Sequence, residues 1–208
     1  MYCRFVKRTA DVLLSFLGLI LLLPLMLLIA LVIVIDDPGP VLFTQRRIGK
    51  SGSEFRLHKF RSMKMSAPHD VPTHLLRDPG SVITRFGRFL RKSSLDELPQ
   101  IWDILIGKMS VVGPRPALWN QTDLIEARKD HGAFDVTPGL TGLAQIRGRD
   151  ELPIEEKARL DGVYAEALKK GGAAALKMDL KCFFGTFLSV LRRDGVVEGG
   201  TGAKGDGK

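Results

Sequence analysis

Residues 12–35 read VLLSFLGLILLLPLMLLIALVIVI, an apolar run that sets the organisation of the whole chain. Its 24 residues are enough to cross the hydrocarbon core of a bilayer as a helix. A secretory signal peptide is the alternative, but the apolar core of such a peptide is usually shorter, and no small-x-small cleavage site follows this run. We therefore expect a membrane helix that the mature protein retains.

Charged residues on both sides of the run bear on how the helix meets the membrane. Basic residues flank it: Arg4, Lys7 and Arg8 come before it, and Arg46, Arg47, Lys50 and Arg56 come after it. Because cationic flanks favour the cytoplasmic side, a single straight span cannot satisfy both ends. Pro24, near the middle of the run, removes a backbone hydrogen bond and bends the helix. A re-entrant helix-break-helix hairpin satisfies both flanks, but a spanning helix also tolerates a proline, and the residues alone leave both arrangements open.

The remaining residues have the composition of one modest soluble domain. The 208-residue chain carries a net charge of +8, which favours an anionic partner such as nucleic acid, an anionic membrane face or a phosphorylated substrate. A generally basic, solvated surface would give the same charge. Cys3 and Cys182 have no partner at metal-ligand spacing and are interpreted as reduced thiols of a cytoplasmic protein, and the four histidines form no zinc pattern.

Hydrophobic periodicity predicts a helix-rich α+β fold for this domain. Two short strands over 41–48 and 55–60 are joined as a hairpin by the glycine- and serine-rich linker between them. Helices are predicted over 82–92, from the Asp96-Glu97 pair to 106, and over 119–131, 155–169 and 176–193. The last of these is amphipathic, which fits either a core helix or a helix lying in the membrane interface.

The acidic pair Asp96-Glu97 is the strongest sign of chemistry in the chain. It directly follows the basic run 85–92, so that two adjacent carboxylates stand beside several cations. One carboxylate can attack phosphorus and carry a covalent phosphoryl group, and the second can hold Mg²⁺ or move a proton. The plain alternative is a helix cap, because Ser94 with Glu97 three residues later fits a capping box.

Further basic residues and one small-residue loop are candidates for binding phosphate. Arginine grips phosphate oxygens with two parallel hydrogen bonds. The basic candidates are separated in sequence: Lys59, Arg61, Arg88, Arg91, Arg115, Arg147 and Arg149. Prolines on both sides of Arg115 would hold it in a stiff turn over 113–116. The loop TPGLTG at 137–142 could bring backbone amides close to a nucleotide phosphate or could be a structural turn, and it lacks the spacing of a Walker loop.

Five sequence motifs follow one another along the chain: FTQRRIG at 43–49, KFRSM at 59–63, SLDELPQ at 94–100, MSVVGPRP at 109–116, and PGLTGLAQI at 138–146 with Gly148-Arg149. In this order they resemble the motifs of the bacterial sugar transferases, or monotopic phosphoglycosyl transferases, over nearly all of residues 1–197. The resemblance implies a re-entrant membrane hairpin over 1–37 with its break at Pro24. It also implies a catalytic domain over 38–197, which interfacial helices hold on the cytoplasmic face of the bacterial inner membrane as a monotopic protein. The glycine-rich residues 198–208 are predicted to be a disordered tail.

The resemblance also implies a reaction. Members of this family transfer a phosphosugar from a UDP-sugar to polyprenyl (undecaprenyl) phosphate, so that UMP is released and a polyprenyl diphosphosugar forms. This is the first membrane step in the assembly of an exopolysaccharide, capsule, O-antigen or glycoprotein glycan. Asp96 matches the nucleophile that forms an aspartyl-phosphosugar intermediate, and Glu97 matches a residue that binds Mg²⁺ together with Asp96. The resemblance assigns substrate and phosphate binding to Lys59, Arg91, Arg115, Gln145 and Arg149.

The expected partners are a UDP-sugar, polyprenyl phosphate and anionic membrane lipid, with downstream glycosyltransferases as further candidates and the oligomeric state, a dimer included, left open. Nucleic acid is disfavoured, because the basic clusters contain few aromatic residues on which bases could stack. A different class of function is a membrane-anchored adaptor whose basic face binds anionic lipid or a partner enzyme without catalysis. Three further residues match recurrent family positions without an assigned role: Asp161, Tyr164 and Asp179.

Overall fold

The structure, a computed structural model, describes residues 2–67, 79–148 and 151–192. Within these ranges the chain folds as a helix-rich α+β protein, as predicted. Its helices and strands are, in order, α1 (Lys7–Asp36), β1 (Leu42–Ile48), β2 (Glu54–Phe60), α2 (Pro79–Val82), α3 (Arg85–Ser93), α4 (Gln100–Leu105), β3 (Ser110–Val112), α5 (Thr122–Asp130), β4 (Gly139–Thr141), α6 (Ile154–Lys170) and α7 (Gly172–Arg192). The predicted tail at 198–208 and the candidate residue Arg149 lie outside the described ranges.

Helix α1 contains the predicted apolar run and continues unbroken through Pro24. It follows a turn of π-helix over Tyr2–Val6 and is, within the described ranges, the one helix that is long and apolar enough to cross a membrane. At its C-terminal end the N–H of Asp37 donates to the carbonyl of Ile33 at 3.0 Å, and the proline-containing residues 38–40 follow. The structure therefore has one continuous helix where the resemblance implies two helices with a break at the proline.

Helix α1 contacts the globular domain along one face, and its other faces are exposed. Near the start, the Arg8 guanidinium donates to two carbonyls at the end of α4, at 2.7 and 2.8 Å. Near the end, Ile29 and Ile33 are buried in a cluster with residues of β2 and α3. On the rest of the helix surface the apolar side chains point outward, from Leu13, which is 62% exposed, to Ile35, which is 71% exposed. The apolar surface that a membrane would cover therefore extends along almost the whole helix.

Strands β1 and β2 form the predicted antiparallel hairpin. The register pairs Phe43 with Lys59 and Arg47 with Phe55. Because side chains alternate between the two faces of a strand, Arg47 shares a face with Lys59, whereas the neighbouring Arg46 is on the opposite face. The hairpin therefore presents one arginine and one lysine, from different strands, on the same side.

Strands β3 and β4 pair in parallel, which the sequence analysis did not predict because β4 lies inside the small-residue loop. Glycines make this close approach possible. A Cβ atom added to Gly113 would lie 2.4 Å from the carbonyl oxygen of Thr137, and one added to Gly142 would lie 2.2 Å from the carbonyl oxygen of Gly113. The N–H of Gly139 donates to the carbonyl of Pro114 at 2.9 Å. The small residues of this loop therefore serve backbone packing, which favours the structural-turn alternative over a phosphate loop.

Helices α6 and α7 pack over the β3–β4 pair and complete the main core. Tyr164 of α6 and Cys182 of α7 are fully buried there. Another face of α7 carries exposed apolar side chains every four residues: Leu176, Leu180, Phe184 and Leu188. One face of α7 thus packs in the core, as predicted for a core helix. The other face has the composition expected of a helix at a membrane interface.

Candidate active site

The acidic pair lies in a 3₁₀ turn, Leu95–Glu97, between α3 and α4. The helix predicted from the pair to residue 106 is shorter in the structure, because α4 begins at Gln100, directly after Pro99. Ser94 caps the C-terminal end of α3 with a left-handed φ of 57°, and its side chain makes no capping hydrogen bond. The capping-box prediction is therefore wrong, since the Glu97 side chain reaches cations from other elements instead.

Glu97 is the centre of an ion-pair cluster built by three elements. Lys59 of β2 donates to one Glu97 oxygen at 2.8 Å. Arg115, in the turn after β3, donates to both oxygens, with 3.1 Å between Nη1 and Oε2. Burial alone would raise the pKa of Glu97, but the charges and hydrogen bonds of Arg115 and Lys59 outweigh it and hold the pKa well below its ordinary value. Glu97 is therefore ionised at neutral pH and holds two cations at the site.

Asp96 has a different environment, although it is the adjacent residue. It is buried, with 8% of its surface exposed, and the Lys59 ammonium lies 3.7 Å from its Oδ2. No group in the described part of the chain donates a hydrogen bond to its carboxylate. Burial raises the pKa of Asp96 above its ordinary value, while Lys59 and Arg91 oppose the shift and Glu97 adds to it. Asp96 is thus the carboxylate of the pair whose oxygen atoms accept no hydrogen bond from the described residues.

Arg115 is positioned by hydrogen bonds to the prolines on both sides of it. The carbonyl of Pro114 accepts from the N–H of Gly139 at 2.9 Å, and the carbonyl of Pro116 accepts from the Arg47 guanidinium at 2.8 Å. The turn over 113–116, which was predicted to be stiff because of its two prolines, is therefore also held by a hydrogen bond on each side of Arg115. This anchoring directs the Arg115 guanidinium towards the acidic pair.

The other predicted binding residues have different placements. Arg91 donates from Nε to Ser62 Oγ at 2.8 Å, and its charge acts on Asp96. The amide oxygen and nitrogen of Gln145 are both shielded from solvent and have no hydrogen-bond partner among the described residues. A shielded amide of this kind is expected to find in a ligand the hydrogen bonds that it lacks. Arg149 lies outside the described residues, so the structure brings Lys59, Arg91 and Arg115 to the pair and leaves Arg149 unplaced.

Arg47 also belongs to the site, although the sequence analysis assigned it no role. Its side chain is close enough to Arg115 and Glu97 for their charges to act on it. Burial and the Arg115 charge lower the pKa of Arg47 to about 9, which leaves it cationic at neutral pH. The signal available in the sequence is strand alternation, which puts Arg47 rather than Arg46 on the same face as Lys59.

The family-matching residues without an assigned role support the fold around the site. Arg128 donates two hydrogen bonds to one oxygen of the buried Asp161, at 2.9 and 2.6 Å. Asp179 accepts a hydrogen bond from Lys7 at 3.0 Å, and its other oxygen lies 2.7 Å from the Tyr164 hydroxyl. These contacts tie α5 to α6, and the start of α1 to α6 and α7.

The donor atoms of the acidic pair decide whether Mg²⁺ fits this site. The described residues contain no group of three or more His, Cys, Asp or Glu side chains placed to hold a metal ion. Mg²⁺, however, is commonly bound by one or two carboxylates, with substrate phosphates and water completing its coordination. The Asp96 oxygens accept no hydrogen bond from the described residues, whereas both Glu97 oxygens accept hydrogen bonds from Arg115. The carboxylate oxygens of the pair therefore fit a Mg²⁺ that arrives with a phosphate substrate.

Known proteins are similar to the chain over almost its whole length, and the sequence model of the family described as Bacterial sugar transferase matches residues 2–193. The "UDP-glucose:undecaprenyl-phosphate glucose-1-phosphate transferase" of Xanthomonas campestris pv. campestris is 45% identical over 71% of this chain and 31% of that protein. The "Exopolysaccharide production protein PSS" of Rhizobium leguminosarum bv. phaseoli is 39% identical over 90% of this chain and 96% of its own length. The "Undecaprenyl-phosphate galactose phosphotransferase" of Salmonella typhimurium is 35% identical over 92% of this chain and 42% of that protein. The chain thus spans less than half of two of these relatives and nearly all of the third.

Proposed function

The chain belongs to the bacterial sugar transferase family, and we propose that it transfers a phosphosugar from a UDP-sugar to undecaprenyl phosphate, with release of UMP. Two relatives support this reaction class, since their names describe transferases that act on undecaprenyl phosphate. The observation that carries the proposal is the contrast within the acidic pair. Asp96 is buried with open oxygens, and the adjacent Glu97 binds two cations. Attack of a carboxylate on a diphosphate needs this combination of a nucleophile and fixed positive charge.

In the first step, a carboxylate oxygen of Asp96 attacks the phosphorus that bears the sugar. The bond from Asp96 to phosphorus forms as the bond from that phosphorus to the bridging oxygen of the diphosphate breaks, and UMP leaves with the electron pair. Because the two reactants are anions, the step depends on nearby cations. Four cations surround the two carboxylates, an excess of two positive charges that suits a bound diphosphate: Lys59, Arg91, Arg115 and Arg47.

In the second step, the phosphate of undecaprenyl phosphate attacks the phosphorus of the Asp96 intermediate. The bond from Asp96 to phosphorus breaks, which restores the carboxylate and leaves undecaprenyl diphosphosugar. Ping-pong kinetics are expected, because Asp96 carries the phosphosugar between the two substrates. Glu97 stays ionised throughout and keeps Lys59 and Arg115 directed at the phosphates. The relative named for exopolysaccharide production supports a role of the product in glycan assembly.

Mg²⁺ is the expected cofactor of this reaction, held by Asp96 with Glu97 and the substrate phosphates. When bound, it neutralises charge on the diphosphate and so assists the departure of UMP. Removal of the metal tests this requirement. Chelation should abolish UMP release without changing the melting temperature of the protein, and added Mg²⁺ should restore it. Full activity after chelation would contradict the requirement.

Contacts in the middle of α1 support a re-entrant helix rather than a spanning one. A Cβ atom added to Gly18 would lie 3.8 Å from Ile101 of α4, and Met26 packs against the cluster around Ile29. The eight residue steps between Gly18 and Met26 rise about 12 Å along a helix, whereas the hydrocarbon core is about 30 Å thick. The stretch of α1 between these two contacts is therefore too short to cross the bilayer. We propose that both ends of α1 lie on the cytoplasmic face of the membrane, which the basic flanks also favour.

UMP release tests the reaction directly. The protein in nanodiscs is incubated with undecaprenyl phosphate, Mg²⁺ and either UDP-glucose or UDP-galactose, the donors found in the names of relatives. Asp96→Asn should abolish UMP release and also the phosphosugar adduct seen by intact mass without the acceptor. The exposed Asp123→Asn should leave both unchanged. A wild-type protein that releases no UMP from either donor, yet binds anionic vesicles, would favour the adaptor function instead.

A further inference from the structure

Two adjacent arginines of β1 have opposite surroundings. Arg46 is exposed, its guanidinium lies 3.9 Å from the ring centre of Trp119, and its Nη1 is 3.8 Å from Glu54. Arg47 lies on the other face of the strand, the face that it shares with Lys59. The two arginines therefore form a natural pair for comparison, because one faces the acidic pair and the other faces away from it.

Arg47 connects the hairpin to the turn that carries Arg115. Its Nη1 donates to the carbonyl of Pro116 at 2.8 Å, and its Nη2 donates to Oε1 of Gln45 at 2.7 Å. The main chain makes a second connection between the hairpin and the turn, because the N–H of Ile48 donates to the carbonyl of Ala117 at 2.9 Å. The turn is thus held on this side by one side chain and one backbone hydrogen bond from the same strand.

We propose that Arg47 is a positioning residue of the phosphosugar transfer, which fixes Arg115 on Glu97 by holding the carbonyl of Pro116. This inference rests on the proposed function. Arg115 can bind both Glu97 oxygens only if its backbone keeps one orientation, and the planar fork of Arg47 is suited to hold that backbone. A small displacement of a group at a reacting centre can cost up to about 100-fold in rate.

The positive charge of Arg47 argues for the positioning role and against a role in packing alone. A partly buried cation beside another cation, Arg115, is unfavourable, so a position that only filled space would be better served by a neutral side chain. Lysine at this position keeps the charge but loses the planar fork, and glutamine keeps a donor but loses the charge. The order of activities among Arg47, Arg47→Lys and Arg47→Gln therefore reports which property the site uses.

Kinetics of UMP release test the proposal. Arg47→Gln should lower kcat/KM for the UDP-sugar by about 10- to 100-fold, Arg47→Lys should lower it less, and the matched control Arg46→Gln should stay within about twofold. Partial activity in Arg47→Lys separates positioning from a merely structural defect, which would reduce the amount of active enzyme equally in both variants.

A double-variant cycle tests whether Arg47 acts through Arg115. In an Arg115→Lys background, the additional change Arg47→Gln should cost little, because the contact that it supports is already lost. Fully additive losses would overturn the proposal. Equal losses in Arg47→Lys and Arg47→Gln would overturn it as well.

Hydrogen exchange gives a readout that does not depend on catalysis. Peptides covering residues 110–121 should exchange faster in Arg47→Gln than in Arg46→Gln, because the turn loses one anchor. Equal exchange in the two variants would overturn the positioning role. If wild-type protein releases no UMP, the proposed function fails, and this exchange experiment still decides whether Arg47 holds the turn.

Discussion

The Lys59 ammonium lies 2.8 Å from a carboxylate oxygen of Glu97, a residue 38 positions further along the chain. The same ammonium is 3.7 Å from Asp96. Lys59 is thus shared unequally between two adjacent carboxylates, and this difference contributes to their opposite pKa shifts. Glu97 is ionised and bound to cations, whereas the Asp96 oxygens accept no hydrogen bond from the described residues.

Replacing Lys59 should therefore impair the reaction more than replacing an exposed lysine. We expect Lys59→Met to lower kcat/KM for the UDP-sugar by about 100-fold or more, because one cation is lost beside the reacting phosphorus. Lys59→Arg should retain part of the activity. Initial rates of UMP release measure both variants, with Lys50→Met in the hairpin turn as the control. Equal rates for Lys59→Met and Lys50→Met would contradict the placement of Lys59.

The raised pKa of Asp96 predicts how the rate of adduct formation falls at acidic pH, the acid limb of the pH profile. Attack needs ionised Asp96, and burial raises its pKa above the ordinary aspartate value of about 3.9, so adduct formation should fail on acidification above that value. Glu97→Gln removes a negative neighbour that raises this pKa, and the limb should then move to lower pH. The maximal rate should fall at the same time, because Lys59 and Arg115 lose their anchor. A limb that moved to higher pH in Glu97→Gln would refute this assignment.

Close backbone packing predicts that Gly142 cannot be replaced. A Cβ atom there would lie 2.2 Å from the carbonyl oxygen of Gly113, so Gly142→Ala must move the β3–β4 pair. We expect a loss of about 3 kcal/mol in the free energy of unfolding. Gly18→Ala is the control, because its Cβ would meet Ile101 at an ordinary 3.8 Å. Thermal unfolding in detergent compares the two, and equal melting temperatures would argue against the packing role.

The buried Arg128–Asp161 pair predicts a stability change that depends on pH. Arg128→Met leaves a buried aspartate without its cation and should cost about 3–5 kcal/mol. Burial already raises the pKa of Asp161, and the variant should raise it further, so the folded state binds a proton more tightly than the unfolded state. Stability of the variant should therefore fall as pH rises above the ordinary aspartate range, and unfolding at pH 5 and pH 8 measures this.

A second substitution provides the control for that pair. Asp161→Asn in the Arg128→Met background removes the buried charge and should recover part of the lost stability at pH 8. The same substitution should have little effect on the variant at low pH, where the aspartate is already protonated. Recovery that was equal at both pH values would speak against a charge effect.

The re-entrant arrangement predicts that both flanks of α1 lie on one side of the membrane. Single cysteines at Thr9→Cys and Ser53→Cys, with Cys3→Ser and the buried Cys182 retained, should both resist a membrane-impermeant maleimide in intact spheroplasts. Both should react after lysis. Labelling of Thr9→Cys alone in intact spheroplasts would show a spanning helix.

Local patterns in the sequence predicted a large part of the fold. The apolar run, the hairpin and the charged α6 helix each have a period or a turn signal within a few residues, so they could be predicted without knowledge of distant contacts. The order of the five motifs likewise predicted the family to which the chain belongs. Local signals failed at Ser94, where a capping pattern was present but the side chain of Glu97 was drawn to distant cations.

The sequence by itself thus determined the long apolar helix, the helix-rich α+β class, the family and the acidic pair as the centre of interest. Only the tertiary structure decided that Glu97 binds both Lys59 and Arg115, that Asp96 accepts no hydrogen bond from the described residues, and that Arg47 contacts the turn that carries Arg115. It also decided that the glycines around β4 serve strand pairing. The physical reason is that pKa shifts and close backbone approaches arise from groups far apart in the chain. Their burial and distances exist only once the chain has folded.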